Sequence, residues 1–118
     1  MNSVKMVILV NMRLKMKCGK IASQCCHASN KAIERIKIKN KNIYNQWYFT
    51  GQKTIVLKSE NEENIFELQK NASIRNINNV IINDMGLTQV DNNSITTMAI
   101  GPYYEKDIDI ITGHLKLL

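Results

Sequence analysis

The sequence predicts an α/β fold in which helices cover both sides of a mixed four-stranded sheet. Its 118 residues are 44% hydrophobic, with one proline and five glycines, which suits a single globular domain spanning residues 1–118. The nearly continuous apolar run Val4–Val10 is typical of a strand buried on both faces, as parallel sheets require. The remaining patterns give the element order β-α-β-α-β-β-α, which indicates sheet and helices in one unit.

A long helix follows the first strand, from Gly19 to about Ile38, because this segment has helical spacing and no proline. Small and apolar side chains stand at i, i+4, i+7 and i+11 along it: Ile21, Cys25, Ala28 and Ala32. Ala22, Cys26, Ser29 and Ile33 widen this stripe. Small residues let a helix approach a sheet closely, so we expect the stripe to lie against the first strand.

The middle of the chain is predicted as a connection, a strand and a helix. Residues 40–52 are polar apart from three aromatic residues near the end, and indicate a connection. Thr54–Leu57 is typical of a second buried strand. A helix is expected to start near Asn61, because capping residues and acids precede an apolar pattern there.

The last third completes the sheet. Val80–Ile82 predicts a third short strand, and residues 84–93 a polar loop. Ile95–Ile100 predicts a fourth strand that ends at Gly101-Pro102. A final helix is expected from about Tyr104 to Ile111, closed by Gly113.

One face of the long helix carries polar side chains opposite the apolar stripe: Lys20, Gln24, His27 and Lys31. Most helices turn a polar face to water, and His27 alone suits a structural role as well as a catalytic one. Lys20, however, lies in the first turn after strand one, where ligands of α/β sheets gather. Both interpretations, a solvated face and a binding face, stay open from the pattern.

The loop after the third predicted strand holds a second group of candidates: Asp84, Gly86, Thr88 and Gln89. Turns use such residues without any functional reason. The sequence lacks a G-x-S-x-G elbow, a P-loop, a G-x-G-x-x-G motif and a His-rich metal motif, which disfavours the corresponding enzyme classes. A lysine, a carboxylate and hydroxyls remain, and these can activate a water and stabilise an oxyanion during cleavage of an activated ester.

The cysteines predict neither a disulfide framework nor a metal site. Cys18, Cys25 and Cys26 fall within nine residues, and consecutive helix positions such as Cys25, Cys26 and His27 point about 100° apart. We expect Cys25 and Cys26 to be reduced and packed as small apolar residues, with a reactive thiol as the alternative.

The charge of the chain is strongly polarised. Residues 1–58 hold 12 Lys or Arg and one acid, Glu34, for a net charge of +11, whereas residues 59–118 hold four and nine, for −5. The 15 Asn and 17 Ile suggest that biased composition explains part of the lysine excess, but it does not explain the missing acids. The basic half indicates a polyanionic partner, and nucleic acid is the commonest.

No membrane segment or export leader is expected. The longest purely apolar run, Met6–Val10, is far shorter than the roughly 20 residues that span a bilayer. We therefore expect a soluble, cytoplasmic protein.

Four motifs together resemble one known family. Residues 14–28 (LKMKCGKIASQCCHA) resemble the LKMGKGKIAAQCSHA signature of type 2 peptidyl-tRNA hydrolases, and residues 84–89 (DMGLTQ) resemble its DAGRTQ loop. Residues 100–102 (IGP) and 112–118 (TGHLKLL) are similar to its closing motifs, and residues 51–53 (GQK) fit its GQPK without the proline. The resemblance runs from near Val4 to the last residue.

The resemblance implies a three-layer α/β/α fold with strand order 2-1-4-3, assembled as a homodimer. It also implies hydrolysis of the ester between peptide and tRNA in peptidyl-tRNA, which recycles tRNA from dropped chains, without a metal or organic cofactor.

The resemblance also implies site residues. The catalytic cluster falls on Lys20, Asp84, Thr88 and Thr96, with Gln24 and His27 beside it. Asp84 would orient or deprotonate the attacking water, Lys20 would neutralise the oxyanion, and the threonines would hold the water or the ester carbonyl. His27 is the alternative base, because histidine as a residue type serves as a general base at neutral pH. The residues expected to bind the substrate, besides Gln24, are Lys17, Lys31, Arg35, Gln89 and Arg13.

The chain departs from the family motifs at three positions. Arg13 replaces an acid, Leu87 replaces a basic residue and Met85 replaces an alanine. Leu87 at this position removes a basic contact to the substrate phosphates. Arg13 would compensate for the lost charge if Arg13 lies at the same edge of the site. A non-catalytic RNA- or protein-binding module on the same fold is the alternative function. For catalysis, we expect the charged atoms of Lys20 and Asp84 within about 4 to 6 Å of each other.

Overall fold

A computed structural model of the protein describes residues 2–84 and 94–118. Within them, four strands form one sheet in the order β2-β1-β4-β3. The strands are β1 (Val4–Asn11), β2 (Thr54–Ser59), β3 (Asn79–Asn83) and β4 (Ile95–Tyr104). The sheet is mixed, because β1 pairs parallel with β2 while β4 runs antiparallel to both β1 and β3. The predicted fold class and strand order are confirmed.

The direction of the strands fixes where a site can form. β1, β2 and β3 all run the same way, so their carboxyl ends meet at one edge of the sheet. The amino end of β4 lies at that edge too. In α/β proteins ligands bind at the carboxyl ends of the strands, so a functional site is expected at this edge.

The helices lie on both faces of the sheet. The described helices are α1 (Cys18–Lys39), α2 (Lys41–Phe49), α3 (Glu62–Ile74) and α4 (Glu105–Thr112), and a short 3-10 turn (Met12–Leu14) joins β1 to the loop before α1. Side chains of α1 and α2 pack in one buried cluster and those of α3 and α4 in another. The alternation of β1 supplies both clusters: Met6 and Ile8 face α1 and α2, whereas Val7 and Leu9 face α3 and α4.

α1 lies close to the sheet because its contact face is built from small residues. Ala28 and Ala32 are fully buried against β1, β3 and β4. The buried stripe differs from the predicted one, since it recurs every four residues through Gln24, Ala28, Ala32 and Ile36. Ala28 and Ala32 belong to both stripes, but other residues of the predicted stripe lie outside the buried one: Ala22 and Cys26 are exposed, and Ile21 and Cys25 are half-buried.

The expectation that both adjacent cysteines are packed is therefore wrong for Cys26, which is exposed. The helix turns this position away from the sheet, because the buried stripe passes through Gln24 and Ala28 instead. Cys25 is half-buried, and its burial, with a smaller effect of Cys26, raises the pKa of its thiol.

Residues 40–52 contain a helix that the sequence interpretation placed in a connection. The Asn40 side chain accepts a hydrogen bond from the Ile43 backbone N–H at 3.2 Å and caps the start of α2. Ile43 and Trp47, four residues apart, bury the inner face of α2, and the Trp47 indole donates to the Lys53 carbonyl at 2.9 Å. This segment is too short and too polar for its two anchoring residues to show as a periodic pattern.

β4 also continues past the glycine and proline expected to end it. Val7 pairs with Ile100 but Lys5 pairs with Tyr103, so β4 carries one extra residue at this point. Gly101 has a φ of 101°, a conformation that a bulge requires and that glycine adopts easily. The bulge takes up residues 101 and 102, and the strand then resumes.

None of the helices in the described ranges is long and apolar enough to cross a lipid bilayer.

Candidate active site

An ion pair joins the start of α1 to the end of β3. Lys20, the third residue of α1, donates from Nζ to Oδ2 of Asp84 at 2.9 Å. The Asp84 backbone N–H donates to the Ser94 carbonyl at 2.9 Å, which fixes the carboxylate at the sheet edge. The two side chains are 29% and 13% exposed, so the pair is shielded but still reachable from solvent. The predicted proximity of Lys20 and Asp84 is confirmed.

A second contact lies one helical turn further along α1. Thr96 donates from its hydroxyl to Oε1 of Gln24 at 2.5 Å. Gln24 is buried, so its predicted place on the face of α1 opposite the buried stripe is wrong. The reason is the position of the helix: the stripe facing the sheet passes through residues 24, 28 and 32, and a polar partner on β4 satisfies the Gln24 amide.

A bulge in β4 aims Thr96 at α1. Ile82 pairs with Thr97 and Asn83 pairs with Ile95, so Thr96 is the extra residue between them. Alternation would put neighbours on opposite faces of the sheet, but here both threonines reach the same residue of α1. The Thr97 hydroxyl donates to the Gln24 backbone carbonyl at 3.0 Å. Gln24 is thus held by its side chain and its backbone.

Three buried polar residues of this edge were not predicted: Ser59, at the end of β2, and two residues that contact β4 or α1. One of these two is Thr97, and the other is Asn11, whose side-chain amide donates to the Ile95 carbonyl at 2.8 Å and whose Oδ1 accepts from the Arg13 N–H. Asn11 therefore ties the end of β1 to the start of β4 and caps the turn that follows β1. A polar residue directly after a strand buried on both faces is a sequence sign of such a role.

His27 and Lys31 are exposed on α1 and lie away from the ion pair. His27 follows Lys20 by seven residues, roughly 10 Å along the helix axis. Arg35 is also exposed, and its guanidinium donates to the Asn79 carbonyl at 2.9 Å, at the far end of β3.

Lys17 and Arg13 lie at the site edge, in the segment between β1 and α1. Lys17 is exposed and precedes the first residue of α1. Arg13 donates to both carboxylate oxygens of Glu62, in the first turn of α3. This contact lowers the pKa of the Glu62 carboxyl to about 2, and the Arg13 charge is partly neutralised.

Two of the expected site residues, Thr88 and Gln89, lie outside the described residues, as do Met85, Gly86 and Leu87. The described residues that flank them, Asp84 and Ser94, lie at the same sheet edge as the ion pair.

The described side chains can act on an ester in two ways. A carboxylate can orient or deprotonate a water, and an adjacent ammonium can stabilise the negative charge that forms on the carbonyl oxygen. Both groups lie at the amino end of α1, where the helix dipole also favours negative charge. Among residues 2–84 and 94–118, no group of three or more His, Cys, Asp or Glu side chains is placed to hold a metal ion.

A comparison with solved structures shows the fold. A protein of unknown function from Agrobacterium tumefaciens superimposes with a TM-score of 0.60 at 13% sequence identity, covering 100% of this chain and 99% of that chain. At this identity the likeness concerns the fold alone.

Comparisons of sequence show the family. A peptidyl-tRNA hydrolase of Thermoplasma acidophilum is 44% identical over 115 residues, which cover 97% of each protein. The probable peptidyl-tRNA hydrolase 2 of Drosophila melanogaster is 38% identical over 117 residues, and the chain spans 63% of the length of that relative. The family model described as peptidyl-tRNA hydrolase PTH2 matches residues 4–118. The chain belongs to the PTH2 family of peptidyl-tRNA hydrolases.

Proposed function

We propose that this protein hydrolyses the ester bond between the peptide and the tRNA in peptidyl-tRNA. The observation that carries the proposal is the Lys20–Asp84 ion pair, 2.9 Å long and partly shielded, at the sheet edge of a chain in the PTH2 family. Family membership supports the substrate, and the ion pair supplies the groups that ester cleavage needs.

In the proposed mechanism, Asp84 orients the attacking water and accepts its proton. Lys20 stabilises the oxyanion of the tetrahedral intermediate. When this intermediate collapses, the C–O bond to the tRNA breaks and the proton held by Asp84 passes to the leaving ribose oxygen. Partial burial strengthens the effect of Lys20, because a charge is screened less away from bulk water. Asp84 suits the role of the base better than His27, since Asp84 contacts Lys20 directly whereas His27 is exposed two helical turns away.

Thr96 supports the site through Gln24 in this mechanism. Its hydroxyl has a single proton, which it donates to Gln24 Oε1, and its side chain is almost fully buried. It therefore cannot also donate to the ester carbonyl. Because Oε1 of Gln24 accepts this hydrogen bond, Nε2 of the same amide remains as a donor, one helical turn from Lys20. Thr88 is proposed to hold the attacking water or the ester carbonyl.

The tRNA is proposed to contact the basic residues around α1. Lys17 and Lys31 are exposed and suit phosphate contacts, which would be independent of sequence because the enzyme serves many tRNAs. Arg13 and Gln89 are proposed as further contacts at the site edge. Arg35 is proposed as a more distant contact, in addition to its bond to the Asn79 carbonyl.

The protein is further proposed to be a homodimer in the cytoplasm. The family resemblance supports the dimer, and sedimentation equilibrium over a range of protein concentrations would test it. Fluorescence microscopy of the tagged native protein would test the location.

The activity is tested by incubating the protein with N-acetylaminoacyl-tRNA and measuring the release of free tRNA. We expect release well above spontaneous hydrolysis, and we expect Lys20→Ala to lose most of it. A folded wild-type protein that binds tRNA but releases none would contradict the proposal and favour the non-catalytic binding module.

A further inference from the structure

An exposed aromatic surface lies at the end of α1 opposite the candidate active site. We define the α2 aromatic surface as Lys37, Tyr44, Tyr48 and Phe49. Phe49 is 78% exposed and Tyr48 is 45% exposed. Counted along α1, Lys37 follows Lys20 by 17 residues, roughly 25 Å. The surface is therefore separate from the Lys20–Asp84 ion pair.

The aromatic rings form one continuous array. The Tyr44 and Tyr48 rings stack with centroids 5.7 Å apart, and the Phe49 ring meets Tyr48 edge-on at 5.1 Å. The Lys37 ammonium lies 5.0 Å from the centre of the Tyr44 ring. Tyr44 is half-buried, so the exposed part of the array is Tyr48 and Phe49. Adjacent exposed rings of this kind are typical of an interaction site, whereas single exposed apolar residues are ordinary.

The helix that carries the aromatic rings, α2, is anchored to the rest of the protein by buried residues. Ile43 and Trp47 are buried beneath α2, and the Trp47 indole is hydrogen-bonded to the Lys53 carbonyl. The core of α2 therefore does not depend on Phe49, which projects into solvent. A rigid platform of this kind loses little conformational entropy when a flat ligand stacks on it.

The positive charge near the array favours a negatively charged partner. No acidic residue occurs between Glu34 and Glu60, a segment that includes all of α2. Lys37, Lys39 and Lys41 are all exposed at the α1–α2 junction, and in the described part of the chain none of the three forms an ion pair. Aromatic rings beside cations that form no ion pair match unpaired bases on a phosphate backbone.

We propose that the α2 aromatic surface binds unpaired bases in the body of the tRNA, away from its acceptor end. This inference rests on the proposed function, because it supplies a second contact for the same substrate. The exposed basic residues Lys31 and Arg35 lie between the two sites along the axis of α1 and extend the basic surface, although Arg35 bonds to β3 and Lys37 contacts α2.

The test compares two substrates that carry the same N-acetylaminoacyl ester. One is full-length tRNA and the other is a short acceptor-end RNA that cannot reach α2. Loss of one stacked base costs at least about 1 kcal/mol, which is a factor of about five in affinity. We expect Phe49→Leu to raise KM for the full-length substrate at least about fivefold, with kcat and the kinetics of the short substrate unchanged.

Two further variants make the result specific. Phe49→Trp keeps an aromatic ring, so we expect it to retain wild-type KM. Phe66→Ala removes another exposed aromatic ring, on α3 at the other face of the sheet, and we expect no change. Equal KM for wild type and Phe49→Leu on full-length tRNA would overturn the inference.

A second copy of the chain is the main alternative occupant of this surface. If it covers the rings, Phe49→Leu would shift sedimentation towards a smaller species and change the kinetics of both substrates alike, which would overturn the inference. Hydrolysis of the short substrate by the wild type tests the proposed function separately, because that reaction does not involve α2.

Discussion

Lys20 and Asp84 each have a partner of opposite charge, and the roles proposed for them make different kinetic predictions. If Lys20 stabilises charge that appears only in the transition state, Lys20→Ala lowers kcat by roughly 10² or more, about 3 kcal/mol. Steady-state kinetics with N-acetylaminoacyl-tRNA measure the effect. Lys17→Ala is the matched control, since it removes the same charge from an exposed position and should mainly raise KM.

A crossed result would reassign Lys20. Should Lys20→Ala raise KM and leave kcat unchanged, the ammonium would be a phosphate contact. Asp84 and Thr88 would then have to account for the chemistry without it, with His27 as the alternative base.

The Arg13–Glu62 pair predicts a pH dependence of stability. Hydrogen bonds from Arg13 are the main cause that lowers the Glu62 pKa from 4.5 to about 2. A carboxyl with a lowered pKa in the folded state stabilises the fold above its unfolded pKa and loses this effect as the pH falls through the folded value. The contribution of the pair is therefore complete above about pH 4.5 and absent below about pH 2.

We expect Arg13→Gln to destabilise the protein by up to about 1 kcal/mol at pH 7, because Arg13 is half-exposed and solvent screens the pair. The difference from wild type should shrink between pH 4.5 and 2, as measured by urea unfolding at several pH values. A difference that stays constant across this range would mean that the contribution of Arg13 does not depend on the Glu62 charge.

At the scale of elements, α1 and β4 are joined through Gln24. Gln24→Ala removes the shorter of the two bonds of the buried Thr96 hydroxyl and leaves it the Ile82 carbonyl at 3.4 Å, at a cost of about 1 kcal/mol, and it releases the side chain that the bulge aims at α1. We expect lower stability and also a lower kcat. Thr97→Val is the control, since it removes only the bond to the Gln24 backbone carbonyl and should reduce stability with little change in kcat. Equal effects of the two variants on kcat would argue against a positioning role.

The sequence predicted elements well where burial produces a periodic pattern. The run Val4–Val10 became β1, and Asn61 caps α3 as expected. α2 was missed because Ile43 and Trp47 give a single helical repeat. The extra residue at Thr96 has no sequence sign, because the bulge arises from pairing between β3 and β4. Gln24 looked like a surface residue because the sequence does not show that β4 offers it a partner.

At the scale of the whole molecule, the candidate site follows from topology. Lys20 and Asp84 are 64 positions apart in sequence, and they meet because β1 and β3 run the same way and β4 lies between them. The residue patterns predicted a mixed sheet but left the order of its strands open; the order came from the resemblance to the family. Thr88 and Gln89 lie outside the described residues, so their roles stay predictions.

The polarised charge of the chain predicts a strong salt dependence of tRNA binding. Each phosphate contact contributes about 0.9 to the slope of log K against log salt, because binding releases counterions. We expect Lys31→Gln to flatten this slope by about one and to raise KM at physiological salt without changing kcat. Lys31 tests this more cleanly than Arg35, whose replacement also breaks a bond to the Asn79 carbonyl.

Lys70→Gln is the matched control for this measurement. Lys70 is also an exposed lysine, but it lies on α3, in the acidic half of the chain and on the other face of the sheet from α1. Both variants lower the net charge of the protein by the same amount. If binding depended on total charge alone, the two slopes would fall equally, whereas a tRNA that lies along α1 changes only the Lys31 slope. Equal slopes for the two variants would therefore indicate a diffuse electrostatic attraction and contradict a defined binding face along α1.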